Sequence, residues 1–217
     1  MDGTHTQGRD DVGGSAGGPL TAGLLLAGEV FTAAELRVLA AHGAVEEVLP
    51  GVFRAVEGPA GPDERARALA LLCAPVLAAG WTAIGPSAAW VHTGGAPPAR
   101  LHAAVPHFHR HPAGGPGVPF TLMESDVAAG PRGPAPAEAD VRPVAGVRVT
   151  TPARTVEDLL LTGDPDHTRR AARLIARHGA AGLRERLARP SRRPGAVGAR
   201  RRLAQLLEAL EGPARPA

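Results

Sequence analysis

Glycine and proline punctuate this chain so densely that its regular elements must be short. The 217 residues include 28 glycines and 22 prolines, nearly twice the combined share of about 12% in average proteins. Proline removes a backbone donor and glycine raises the entropy cost of ordering the chain. There is no lysine, asparagine or tyrosine, and all 24 basic side chains are arginine. That bias reads as the coding habit of a GC-rich genome, so arginine counts need discounting. Hydrophobic residues make up 44% of the chain, enough for a buried core, though only six residues are aromatic. The length fits one medium domain or two small ones.

Several function classes drop out at this level. The lone Cys73 cannot form an internal disulfide or a cysteine-cluster metal site, so a reducing cytoplasm is the expected compartment. The apolar run Leu24–Ala27 is too short for a signal peptide, and no stretch approaches the ~18 apolar residues of a membrane span. Without lysine there is no P-loop phosphate site, no Schiff base and no nuclease site that pairs carboxylates with lysine. Neither cofactor nor metal is expected.

Charge is uneven. Residues 1–150 carry net −4 and residues 151–217 net +7; between Arg169 and Arg202, 12 arginines face the single acid Glu185. Such density attracts phosphates or an acidic protein surface. It also fits a solvated helix face, because no aromatic residue interleaves to stack on bases.

Along the chain, residues 1–18 have almost nothing to bury and read as a disordered tail. Pro19–Ala27 reads as a short apolar helix. Thr32 and Glu35 form a capping box for a helix over Ala33–His42, with Gly43 beyond its end. Val45–Leu49, Pro50-Gly51 and Val52–Val56 read as a hairpin. Asp63–Ala79 reads as a helix that Pro75 kinks or ends. Short strands follow at Trp81–Ile84, Leu101–Val105 and Val118–Met123, with another inside Val141–Thr150 centred on Val147–Val149. Helices are predicted over Ser87–His92, from Thr151-Pro152 onward, over His167–Leu187, and over Ala199–Leu210. The expected fold is α+β: a winged-helix-like module at 19–57, a mixed helix–strand domain at 63–162 and a basic helical tail at 163–217.

Three segments occur in a characteristic order: Phe31-Thr32-Ala33-Ala34-Glu35-Leu36 leading to Leu49-Pro50-Gly51-Val52-Phe53-Arg54; Ala83-Ile84-Gly85-Pro86-Ser87-Ala88-Ala89-Trp90-Val91-His92; and Gly146–Leu159, with Thr150-Thr151-Pro152-Ala153-Arg154-Thr155 at its centre. Together they resemble the AbiEi family of antitoxins from type IV toxin–antitoxin systems, in the form common in actinobacteria. The resemblance spans roughly residues 20–165, and Gly146–Leu159 is its most specific part. It implies a non-enzymatic protein that binds operator DNA to repress its own operon and counteracts a nucleotidyltransferase-like toxin. The restriction-type nuclease domain of some related proteins is not expected here, since the chain ends too early and lacks the lysine.

A helix-turn-helix needs two helices, and the sequence leaves room for one clear helix between Thr32 and Gly43. Either Pro19–Ala27 is the scaffold and 33–42 the reader, or the module is a protein-interaction unit that has lost DNA binding. As a reader it would use Thr32, Glu35 and Arg37 on bases and Arg54 of the wing on a phosphate. Arg169, Arg170 and Arg173 would add phosphate contacts from the tail.

Other constellations have plainer explanations. His107, His109 and His111 alternate on one strand face, but the segment offers no carboxylate or cysteine to complete a zinc set; a polar loop fits better. Ser87 with His92 and Asp158 could mimic a catalytic triad, yet no Gly-x-Ser-x-Gly turn surrounds Ser87, and a helix N-cap accounts for it. Arg154 and Asp158 stand four apart on one helix, either as an ion pair fixing that helix to the sheet or as a patch facing a partner. Trp81 and Trp90 are expected in the core.

Overall fold

The computed structural model describes residues 23–77, 79–106, 117–125, 127, 140–189 and 193–211. Within them the protein is a mixed α+β fold with two sheets and seven helices. No helix among the described residues is long and apolar enough to cross a membrane.

The N-terminal elements are β1 (Leu24–Leu26), α1 (Ala33–Ala41), β2 (Val45–Leu49) and β3 (Val52–Ala55), and the three strands form an antiparallel sheet in the order β1-β3-β2. The helix expected over Pro19–Ala27 is not what Leu24–Leu26 adopt. Gly23 and Gly28 flank them at φ +80° and +95°, which confines any helix to a length too short to nucleate. Pairing Leu24 with Arg54 and Leu26 with Val52 instead satisfies the backbone and buries Leu24. The hairpin turns at Pro50-Gly51 as expected, with a bulge between Glu47 and Leu49.

Next come α2 (Pro62–Cys73), β4 (Thr82–Ala83), α3 (Gly85–Thr93), β5 (Leu101–Val105), β6 (Phe120–Glu124), β7 (Val141–Val144) and β8 (Val147–Thr150). Helix α2 stops before Pro75, where the missing N–H ends the ladder. The sheet order is β6-β5-β4-β8-β7; β4–β8 and β5–β6 are parallel, β4–β5 and β7–β8 antiparallel. The one strand expected within Val141–Thr150 is a two-strand hairpin. Its two-residue turn holds Ala145 at φ +46° and Gly146 at φ +81°, the double positive φ of a tight hairpin turn.

Four helices close the chain: α4 (Pro152–Thr162), α5 (Pro165–His178), α6 (Leu183–Ala188) and α7 (Ala196–Glu211). The single helix expected over His167–Leu187 breaks into α5 and α6, since Gly179 and Gly182 both take positive φ. These helices are not a loose appendage. Leu159, Leu160, Leu174, Leu183, Leu203 and Leu207 join Ala89 of α3 in one buried cluster. A second cluster runs from Leu24, Leu49 and Val52 through Leu69 and Leu72 of α2 to Trp90, Leu101 and Val149. Helix α2 therefore welds the small sheet to the large one.

Candidate binding site

Helix α1 lies on the small sheet through Leu36, which is fully buried with Val45 and Phe53. Its start is the predicted capping box. Thr32 Oγ1 accepts from the Glu35 amide at 3.2 Å, and Glu35 Oε2 accepts from the Thr32 amide and hydroxyl, each at 2.8 Å. Those Thr32 bonds hold the Glu35 carboxyl below its ordinary pKa. Of the three expected base readers, Thr32 and Glu35 thus satisfy each other. Arg37 alone is exposed without a partner among the described residues. Val30 and Phe31 ahead of the helix and Val38 within it are 80%, 37% and 57% exposed.

Arg54 is not a surface cation of the wing. It is buried: Nε donates to Glu46 Oε1 at 2.6 Å, Nη1 to Glu64 Oε1 at 3.4 Å, and Nη2 to the Gly58 carbonyl. The central strand β3 turns this side chain toward the start of α2, whose packing closes over it. A guanidinium committed in this way cannot meet a phosphate without leaving two carboxylates unpaired.

The arginine-rich C-terminal third separates into two populations. Arg170 is buried, donating to Asp166 Oδ2 at 2.8 Å and to the Ala96 carbonyl at 3.3 Å. Arg200 and Arg202 donate 2.7 Å bonds to the Leu187 and Leu160 carbonyls. By contrast, Arg173, Arg177, Arg184 and Arg201 are exposed and unpaired among the described residues, and Arg169 makes only an exposed 3.3 Å pair with Asp166.

Arg154 and Asp158 belong to a closed ring of three acids and three arginines. Arg154 bridges Asp140 at 2.6 Å and Asp158 at 3.0 Å; Arg186 bridges Asp140 at 2.7 Å and Glu157 at 2.5 Å; Arg193 bridges Glu157 at 3.0 Å and Asp158 at 2.7 Å. Burial alone would lower the Arg154 pKa, but Asp158 and Asp140 together raise it. The ring clasps the approach to β7, helix α4, helix α6 and the lead-in to α7. The i,i+4 spacing reveals one edge of the ring. Asp140, Glu157, Arg186 and Arg193 carry no comparable sequence signal, because they meet only through long-range folding.

Ser87 is in the first turn of α3 rather than at its N-cap, which is Ile84. Its hydroxyl accepts from the His102 amide at 2.8 Å, tying α3 to β5. His92 is buried against the Thr150 carbonyl at 2.7 Å, and Asp158 is held by Arg154 and Arg193, so these three do not assemble as a triad. Trp90 is buried in the core, its Nε1 donating to the Gly95 carbonyl at 3.1 Å, whereas Trp81 is half-buried against the same cluster. Burial pushes the Cys73 thiol up to about 12, which leaves it protonated and inert. The His107–His111 segment lies outside the described residues. Among the described residues no group of three or more His, Cys, Asp or Glu side chains could hold a metal ion. Compared with protein-family models and with curated proteins, the sequence gives no match.

Proposed function

We propose that this protein works by binding and performs no chemical step, as an antitoxin of the AbiEi type. In this reading it engages a nucleotidyltransferase-like toxin and represses its own operon from the cytoplasm. The observation that carries the reading is the N-terminal module. Its strand order β1-β3-β2, with α1 between β1 and β2, matches the sheet of a winged helix. Helix α1 is the one helix ahead of the β2–β3 hairpin among the described residues, so in this reading it contacts DNA without the scaffold helix of a helix-turn-helix. Arg37 is its base-reading cation, since Thr32 and Glu35 are spent on each other in the cap. Arg54 has no part in DNA contact.

A second reading has its own observation. Residues 23–57 carry five glutamates against Arg37 and Arg54, a net charge of −3, and Val30 and Phe31 just ahead of α1 and Val38 within it are exposed. Phosphate is repelled by such a surface, whereas a protein partner would cover it. The module then keeps the fold and docks on protein.

Binding of the full-length protein to its own upstream DNA, with random DNA as competitor across a salt series, separates the two. Autorepression predicts specific retention near physiological salt that Arg37→Ala weakens. Docking predicts equal loss on both DNAs as salt rises. In that case exposed arginines supply the only affinity, and an Arg169→Ala/Arg173→Ala double variant lowers the salt slope by up to about two. Arg170, being buried, adds nothing to that slope.

A further inference from the structure

Away from these surfaces, four elements converge on a cavity of about 300 Å³. Asp63 comes from the start of α2, His92 from α3, Arg142 from β7, and Arg177 and His178 from the end of α5. Arg142 and Arg177 are exposed, and neither has a carboxylate partner among the described residues. We propose that this cavity binds a small phosphate monoester, with the dianion held between the guanidinium groups of Arg142 and Arg177.

The cavity is organised for an anion before any ligand arrives. The buried His92 ring donates from Nε2 to the Thr150 carbonyl at 2.7 Å, which leaves Nδ1 to accept from Arg142 Nη2 at 3.3 Å. One fork of the site is thereby aimed by a neutral imidazole that adds no competing charge. The His178 ring stands edge-on to His92 at 5.8 Å and 75°. Beneath them Arg65 is buried, with its guanidinium spent on the Val91 and Ala60 carbonyls. Asp63 is the one carboxylate on the wall, so the cavity carries excess positive charge. Arginine forks bind carboxylate or phosphate oxygens in pairs. A carboxylate has oxygens for one fork, whereas a phosphate dianion has enough for two.

The volume lies at the small end of the range for ligand sites, about 300–1,000 Å³. It has room for a phosphate and a modest organic remainder. The wall offers no Phe or Trp to stack a base, so recognition centres on the phosphate. Desolvation, Arg142 and Arg177 lower the His178 pKa, with His92, Asp63 and Arg65 as the other titratable or charged groups nearby. A bound dianion reverses the effect of the two arginines, so binding takes up a proton at His178. None of this depends on what α1 contacts.

The test is calorimetric titration of the full-length protein at low ionic strength with inorganic phosphate, a ribonucleoside 5′-monophosphate and an oligodeoxynucleotide. Saturable binding of both phosphate ligands is expected. Tighter binding of the nucleotide identifies an organic remainder seated in the cavity; equal affinities identify the free anion as the ligand. Arg142→Ala and Arg177→Ala each weaken binding by about tenfold or more, and their lysine counterparts by less. Arg184→Ala, outside the cavity wall, leaves it unchanged. At pH 7, titrations in buffers of different ionisation enthalpy give the net proton change, and His178→Ala shifts it toward release because the ligand's own second ionisation remains. Ligand-free thermal melts check that each variant folds. The proposal is overturned if millimolar phosphate and nucleotide give no saturable binding, if only the oligonucleotide binds, or if Arg184→Ala costs as much as Arg177→Ala.

Discussion

His92 sits where α3 meets β7 and β8, and burial holds its imidazole at a pKa of about 4, opposed by the Thr150 hydrogen bond. In the unfolded chain the same ring titrates near 6.5. A folded pKa below the unfolded one means the folded state binds fewer protons. The stabilising effect is therefore present above about pH 6.5 and lost as pH falls toward 4, amounting to about 3 kcal/mol by linkage. His102, half-buried on β5 and likewise lowered to about 4 by desolvation, acts in the same direction. Urea unfolding followed by tryptophan fluorescence at pH 7 and pH 4.5 should show a large loss for the native sequence. His92→Gln keeps a donor for the Thr150 carbonyl without the titration, so its loss should be smaller. Equal losses would mean that His92 is not the sensor. The arginines make a related point: Arg37 and Arg54 both belong to the N-terminal module, yet one is free and the other buried against Glu46, Glu64 and Gly58.

Among the elements, caps and breakers decide where helices begin and end, and residue type revealed Thr32, Thr151 and Pro152 but not Asp164, Pro165 or the break at Gly179 and Gly182, while Ser87 is not a cap. Thr32, Thr151 and Asp164 each cap a helix through a side-chain oxygen, and Pro152 and Pro165 open α4 and α5, as stereochemistry favours. Leu24–Leu26 could not be read this way, because three leucines between glycines suit a helix turn and a strand alike until β3 lies alongside. Gly195 shows how an element end can also be a packing site. Its φ is +87°, and a Cβ there would run into the Leu161 carbonyl of α4. Gly182 has a similar φ of +71° with open space around it. Gly182→Ala should cost about 1 kcal/mol from backbone strain alone. Gly195→Ala should cost more, toward about 3 kcal/mol, because α7 must also shift off α4. Comparable urea midpoints for the two variants would refute a tight contact there.

For the molecule as a whole, the ring of Asp140, Arg154, Asp158, Arg193, Glu157 and Arg186 absorbs charge that otherwise reads as a nucleic-acid surface. Buried ion pairs offset their own desolvation only partly, so the ring acts chiefly to fix how α4, α6 and α7 meet the edge strand β7. Asp140 is the sensitive member, since its side chain is fully buried and it serves both Arg154 and Arg186. Asp140→Ala leaves two nearly buried guanidiniums short of a partner and should destabilise the fold by about 3–5 kcal/mol. Asp140→Asn, which keeps the shape, should cost less. A loss below about 1 kcal/mol for Asp140→Ala, within the range of surface pairs, would mean the ring contributes nothing beyond a surface cluster.

Residue order alone carries the α+β class, the capping box of α1, the β2–β3 hairpin, an interruption of α2 at Pro75 and the Arg154–Asp158 pair. Each rests on interactions within a few residues, where backbone stereochemistry and periodicity suffice. Long-range packing settles that Leu24–Leu26 are a strand, that α2 stops at Cys73, that Arg54 and Arg170 are buried, that the arginine-rich helices pack into a common core, and that His92, Arg142, Arg177 and His178 share a cavity. Those outcomes depend on partners 50 or more residues away in the case of His92 and Arg142, and a charge's availability is set by what folds over it.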